Sequence, residues 1–187
     1  MGCWGITAFE SDAGLDSVDY IRRSLPQDGR LELEKIVEAI QKDEVRMPDV
    51  CNAESHSSPM ALAEIMVHFM DGTADSMDYD DAWAAGDKKF GAVSSFTASR
   101  ESVRWLRNYL RDTLKYAMKN AEEGHKWGGW FQEKDWTGWQ NHMETLIGRL
   151  DGVLAADGNE LALFWEGAQE VSMEKKPEQD DSGMTMK

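Results

Sequence analysis

The sequence predicts an all-α domain of six or seven helices, with an aromatic hook at its N-terminus and a disordered acidic tail at its C-terminus. Two patterns lead to that class. Leu, Ile and Val recur at three- and four-residue spacing along most of the chain, which places them on one face of a helix. Gly, Pro and Asp-Gly signals interrupt those stretches at helix-length intervals. The composition supplies a core: 41% of the 187 residues are hydrophobic and eight are Trp, enough for one folded domain. The expected organisation is a single domain over residues 1–172, with an acidic loop insert near 71–98, followed by a tail over 173–187.

In chain order, Ser11 or Asp12 caps a first helix running to Arg23, with Leu15, Val18 and Ile21 at helical spacing. Leu25 to Gly29 (LPQDG) reads as a turn. A second helix is expected over Leu31 to Lys42, with Leu33, Ile36, Val37 and Ile40 on one face. Met47 to Pro59 reads as a loop. Ser58-Pro59 then supplies the N-cap and first turn of a third helix, which buries Leu62, Ile65, Met66 and Phe69 and stops at Asp71-Gly72. Within the insert, Asp80 to Lys89 suggests a short helix, and Phe90 to Phe96 reads as loop, with room for a small strand pair. The strongest helix runs from Ser99 to Glu123 and ends at Gly124. Trp130 to Lys134 suggests a helical turn. Asp135 caps a helix to Ala156 carrying Trp136, Trp139, Met143, Leu146 and Leu150. Asn159 to Gln169 is expected to form a last short helix. Beyond Met173 the chain is Lys-, Glu-, Asp- and Ser-rich, without apolar periodicity.

Charge narrows the function classes. The net charge is −15, and residues 1–99 hold 19 acids against 8 bases. Such a surface repels nucleic acid and anionic membrane and attracts basic protein surfaces. No apolar stretch approaches a membrane span. Cys3 and Cys51 are the only cysteines; without a secretory signal they read as reduced thiols of a cytoplasmic protein.

The opening MGCWGITAFESDAGLD places Trp4 between Gly2 and Gly5, then Phe9, then an acidic helix start. The structural reading is a plug, with Trp4 and Phe9 buried in the helical body. The functional reading has Trp4 line a site with Glu10, Asp12 and Asp16. These residues also carry a resemblance. Met1-Gly2-Cys3-Trp4-Gly5, Phe9, Asp12-Ala13 and Asp16 resemble the opening of a bacterial family of unknown function. The Trp-containing stretch Asp135 to Leu150 looks similar as well. The resemblance spans about residues 1–155 and implies a helical bacterial protein. It implies no activity and no catalytic residue.

Glu64 and His68 are spaced i, i+4, as metal ligands often are, with His56 and Cys51 nearby in sequence. No credible third and fourth ligand accompanies them, so no metal and no cofactor is expected. Asp75, Asp78, Asp80 and Asp81 lack the Gly and Glu of a calcium loop and read as a solvated acidic loop able to meet a basic partner. Arg100, Arg104, Arg107, Arg111, Lys115 and Lys119 form a stripe along the long helix. Beside Trp105, Tyr109 and Tyr116, that stripe could bind phosphates, or it could pair with the chain's own acids. Lys126 to Trp139 holds four Trp in fourteen residues. Of these, Trp127 and Trp130 could anchor a partner.

No nucleophile, metal or acid–base pair stands in a recognisable setting. The expected function is therefore a non-enzymatic acidic interaction protein that masks a basic nucleic-acid-handling or toxin partner, as immunity and anti-CRISPR-like inhibitors do. The partner-binding candidates are Asp75, Asp78, Asp80, Asp81, Trp127 and Trp130. The alternatives are a helical hydrolase, or a nucleic-acid binder acting through Arg104, Arg107 and Arg111.

Overall fold

A computed structural model describes residues 2–52, 57–78, 88–124 and 133–165. Five α-helices and three strands follow one another among them. They are α1 (Asp12–Arg23), β1 (Arg30–Glu32), α2 (Leu33–Gln41), α3 (Ser58–Met70), β2 (Ser95–Ser99), α4 (Arg100–Glu122), α5 (Trp136–Ala155) and β3 (Glu160–Trp165). The all-α expectation is thus corrected: the fold is α/β, with a mixed sheet in the order β1-β2-β3. The expected helix around Asp80, the turn from Trp130 and the tail beyond Met173 fall wholly or mainly outside the described residues.

Each strand replaces something the sequence reading assigned otherwise. Arg30-Leu31-Glu32 alternates, and Leu31 is buried between two more exposed neighbours. It pairs in parallel with β2, Leu31 opposite Phe96, so the second helix starts at Leu33. Ser95–Ser99, read as loop and helix cap, buries Phe96 and Ala98 at the two-residue period of a strand. The stretch read as a last helix is β3, antiparallel to β2. Its run LALFW is too short for periodicity to separate strand from helix. Phe96 pairs with Phe164 but Thr97 with Ala162, so Leu163 is an extra residue. Such a bulge bends the strand, and both Leu161 and Leu163 are buried.

The helices match the reading more closely. Ser11 caps α1, its hydroxyl accepting the Gly14 N–H at 2.9 Å. Ser99 caps α4, accepting the Ser102 N–H at 3.2 Å. The sequence of α3, SPMALAEIMVHFM, is apolar on nearly every side, as suits a central helix. It is buried without a break from Ser58 to Met66 and packs on α1, α4, α5 and β3. At its end Phe69 sits in an aromatic cluster, with ring centroids 5.1 Å from Phe96, 5.7 Å from Phe164 and 6.3 Å from Phe90.

Three polar clamps join the elements. The Arg100 guanidinium donates to the carbonyls of Leu154, Ala156 and Gly158, closing the C-terminal end of α5 onto the start of α4. Arg22 is buried, donates to the Met77 carbonyl at 2.7 Å and lies over the Phe90 ring. Asp78 accepts the N–H groups of Phe90 and Gly91, each at 2.7 Å. Together Arg22 and Asp78 fasten the two described ends of the acidic insert to α1 and to each other.

Candidate functional site

The N-terminal segment, residues 2–12, crosses from α3 to α5, and it is fastened by polar contacts rather than by its Trp. Trp4 is 54% exposed, which corrects the expectation of a buried plug. Val45 and Met118 are the other exposed large hydrophobics among the described residues, so Trp4 is the one aromatic of that group. Phe9 does pack inward, edge-on to His68 with centroids 5.4 Å apart. Ile6 lies against Gly138 at the start of α5.

What fixes the backbone is a pair of carboxylates. Glu10 folds back, and its Oε2 accepts the N–H of Ile6 at 2.9 Å and of Thr7 at 3.0 Å, together with the Thr7 hydroxyl at 3.0 Å. Gly5 makes room for this: a Cβ there would fall 2.1 Å from the Glu10 carboxyl carbon. Glu64 is 4% exposed, and its two oxygens accept the Ala8 N–H at 2.9 and 3.0 Å. His142 of α5 meets Glu64 Oε1 through Nε2 at 2.6 Å. One buried carboxylate on α3 therefore ties the N-terminal segment to α5. Further bonds close the loop: the Trp4 N–H to the Glu10 carbonyl, and the Asp12 N–H to the Gly2 carbonyl, both 3.0 Å. The Gly2 N–H reaches Asp12 Oδ2 at 2.6 Å.

Gly14 of α1 lets the segment lie this close. A Cβ there would fall 1.7 Å from the Ala8 carbonyl oxygen, a backbone atom. Gly14→Ala is therefore expected to lower unfolding free energy by about 2 kcal/mol, read by urea denaturation. A variant as stable as the parent would contradict this contact.

Acids lie along the segment that carries Trp4. Asp12 is exposed on the same segment. Burial pushes the Cys3 thiol above its ordinary range, a backbone hydrogen bond with Gly5 opposes this, and the nearby Asp135 and Glu10 push it further up. Cys3 thus stays a protonated thiol, a poor nucleophile, facing carboxylates from two elements. Neither Cys3 nor Cys51 is in a disulfide.

Comparison with family models, with curated proteins and with solved structures returns no match.

The other sequence candidates fall as follows. Asp75 is exposed on the short 3-10 turn Ala74–Met77, whereas Asp78 is half-buried and bonded to Phe90 and Gly91. Asp80, Asp81, Trp127, Trp130 and His56 lie outside the described residues. Arg107 and Arg111 both reach Asp151 of α5, at 2.9 and 3.5 Å, while Arg104 is exposed. Tyr109 is buried and donates to the Pro48 carbonyl; Trp105 and Tyr116 pack half-buried on the core. A hydrogen bond with Cys51 holds the Tyr116 phenol above its ordinary range. Glu64 and His68 do not converge: His68 Nδ1 pairs with the Thr73 hydroxyl at 2.9 Å. Among the described residues no group of three metal-ligating side chains gathers, and no helix is long and apolar enough to cross a membrane.

Sequence reasoning missed the Glu64–His142 contact. A signal was present. A carboxylate inside an otherwise apolar helix requires a buried partner, and His142 stands beside Met143 on the apolar side of the next long helix but one.

Proposed function

We propose that this chain is a non-enzymatic binding protein that docks on a basic surface of another protein, with Trp4 as its anchor. The observation that carries the reading is an exposed Trp held on a hydrogen-bonded segment that itself bears Glu10 and Asp12 and whose Cys3 lies near Asp135. An aromatic ring beside carboxylates suits Lys and Arg side chains, through cation–π and ionic contact. A segment already ordered loses little entropy on binding. Masking of a nucleic-acid-handling or toxin partner, in the manner of immunity or anti-CRISPR-like inhibitors, belongs to the same proposal. So do a cytoplasmic setting and kinship with the bacterial family whose opening this chain resembles.

The distribution of bases supports it further. Many are turned onto the protein itself: Arg23 to Asp19, Lys35 to Glu32, Arg107 and Arg111 to Asp151, and Arg149 to Asp71. That weakens the phosphate-binding alternative for Arg104, Arg107 and Arg111, whose neighbouring aromatics are also partly or wholly buried. It leaves the acid excess to face a partner. A hydrolase reading gains little from Glu64, whose oxygens are occupied by Ala8 and His142.

The test immobilises the wild-type and Trp4→Ala chains and exposes both to lysate of the source cell. Trp4→Ala is expected to keep the parent unfolding midpoint, because its ring is largely outside the core. The wild-type chain should retain a basic protein at low salt and release it as salt rises. Trp4→Ala should lose at least about tenfold of that affinity, a hot-spot effect. Retention of nucleic acid, abolished by Arg104→Gln with Arg107→Gln and Arg111→Gln, would contradict the proposal.

A further inference from the structure

We infer that the outer edge of β3 takes up an extended peptide segment of a partner protein as a further strand, and that this segment is apolar and basic. Among the described residues β3 pairs with β2 alone, so alternate N–H and C=O groups along its other side are left without a strand. The two edges of the sheet differ in how they are protected. β1 has three residues, with Arg30 and Glu32 on either side of Leu31, and a short charged edge resists added strands. β3 has six, and its last five, LALFW, hold neither a charge nor a proline.

A groove runs beside the unprotected edge. It holds about 300 Å³, the lower limit of small-molecule sites, which suits single side chains of a peptide better than a cofactor. Glu160, Leu161, Ala162 and Leu163 all line it. Successive strand residues point to opposite faces, so a groove that touches four in a row follows the edge of the strand rather than one face. The opposite wall is Met70 at the end of α3 and Val153 of α5. Main-chain bonding along such an edge gives affinity, and a flanking groove selects the side chains. Here it selects apolar ones.

The rim sets the charge of the occupant. Asp157 and Glu160 line the groove and are exposed. Asp19, Glu32, Asp71 and Asp151 each meet a base, whereas Asp157 and Glu160 meet none among the described residues. Arg149 is held by Asp71, next to Met70. Arg100 lies close, its guanidinium turned to the carbonyls of Leu154, Ala156 and Gly158. Two carboxylates against that guanidinium leave the rim negative, so Lys or Arg in the occupant is favoured. A second copy of this chain is the poorer occupant, because each copy carries a net charge of −15. None of the residues that hold Trp4 lines the groove, so the inference does not rest on the Trp4 surface.

Fluorescence anisotropy of labelled heptapeptides with the full chain, at about 0.15 M salt, tests the inference. A peptide alternating Lys and Val is expected to bind with Kd below about 1 mM. Peptides alternating Glu and Val, or Lys and Ser, should bind at least about tenfold more weakly. The bound Lys–Val peptide should also slow hydrogen exchange within Leu161 to Phe164, as a newly paired strand edge requires. Asp157→Asn with Glu160→Gln, and separately Ala162→Lys, should each weaken it about fivefold or more. Both variants should keep the parent unfolding midpoint, since all three side chains are exposed. Trp4→Ala should leave peptide binding unchanged. Absence of binding up to about 1 mM would overturn the inference, as would a Lys–Ser peptide that binds as tightly. Binding lost in Trp4→Ala but kept in both edge variants would place the peptide at the other surface and overturn it too. So would a dimer of the chain, seen by sedimentation, that Ala162→Lys dissolves, because the edge would then belong to a second copy.

Discussion

Replacing Glu64 by Ala is expected to lower unfolding free energy by about 3 kcal/mol, because it strips a buried carboxylate from two donors at once. Ala8 loses its only acceptor in that contact, and His142 faces an emptied site across from α3. Glu64→Gln should lose about half as much, since one amide oxygen can still accept while its NH₂ faces a donor. His142→Ala leaves the carboxylate with Ala8 alone. Its loss and that of Glu64→Ala should not add, and a double-mutant cycle gives the coupling. Urea denaturation measures all of these. Limited proteolysis should in addition show cleavage near residues 5–9 in Glu64→Ala that the parent resists. A Glu64→Ala chain as stable as the parent would mean that the N-terminal segment is held by something other than this carboxylate.

Phe69→Ala is expected to be the larger loss, about 4 kcal/mol. Phe69 is 1% exposed and contacts rings from β2, from β3 and from the segment before β2. Its removal opens a cavity where the central helix meets the sheet, and edge-to-face contacts are lost with it. Phe69→Leu should recover part of the loss by filling volume without the ring. The effect should be seen as a fall in the urea midpoint with little change in the slope. A loss under about 1 kcal/mol would mean that the sheet is not docked on α3 as described.

The helices were legible because their information is local. Val18 and Ile21 in α1, and Leu106, Leu110 and Leu114 in α4, announce their faces by spacing, and Ser11 and Ser99 announce the starts. The sheet was not legible because its information is distant. Arg30–Glu32 becomes a strand only by pairing with residues 95–97, and LALFW only by pairing with the same strand from its other side. No local pattern states that partnership. At the site, the opening's glycines and acids are visible in the sequence, but the size of Trp4 suggests burial, whereas its ring is 54% exposed. The burial is instead carried by Ala8, Phe9 and a distant Glu64. The bases of α4 recur at helical spacing and so read as a stripe. That Asp151 would bind two of its members depends on how α4 and α5 meet, which spacing alone does not give.

The central claim is that Trp4 is presented by a locked segment rather than by a fraying end. Hydrogen exchange at the amides of Trp4, Ile6, Thr7, Ala8 and Asp12 tests it most directly, since each donates to a named acceptor. The account predicts that Ala8 exchanges nearly as slowly as the buried amides of α3, with the others protected to a lesser degree. It also predicts that Glu64→Ala releases Ala8 selectively. Exchange of all five at free-chain rates in the wild-type protein, with α3 still protected, would contradict it.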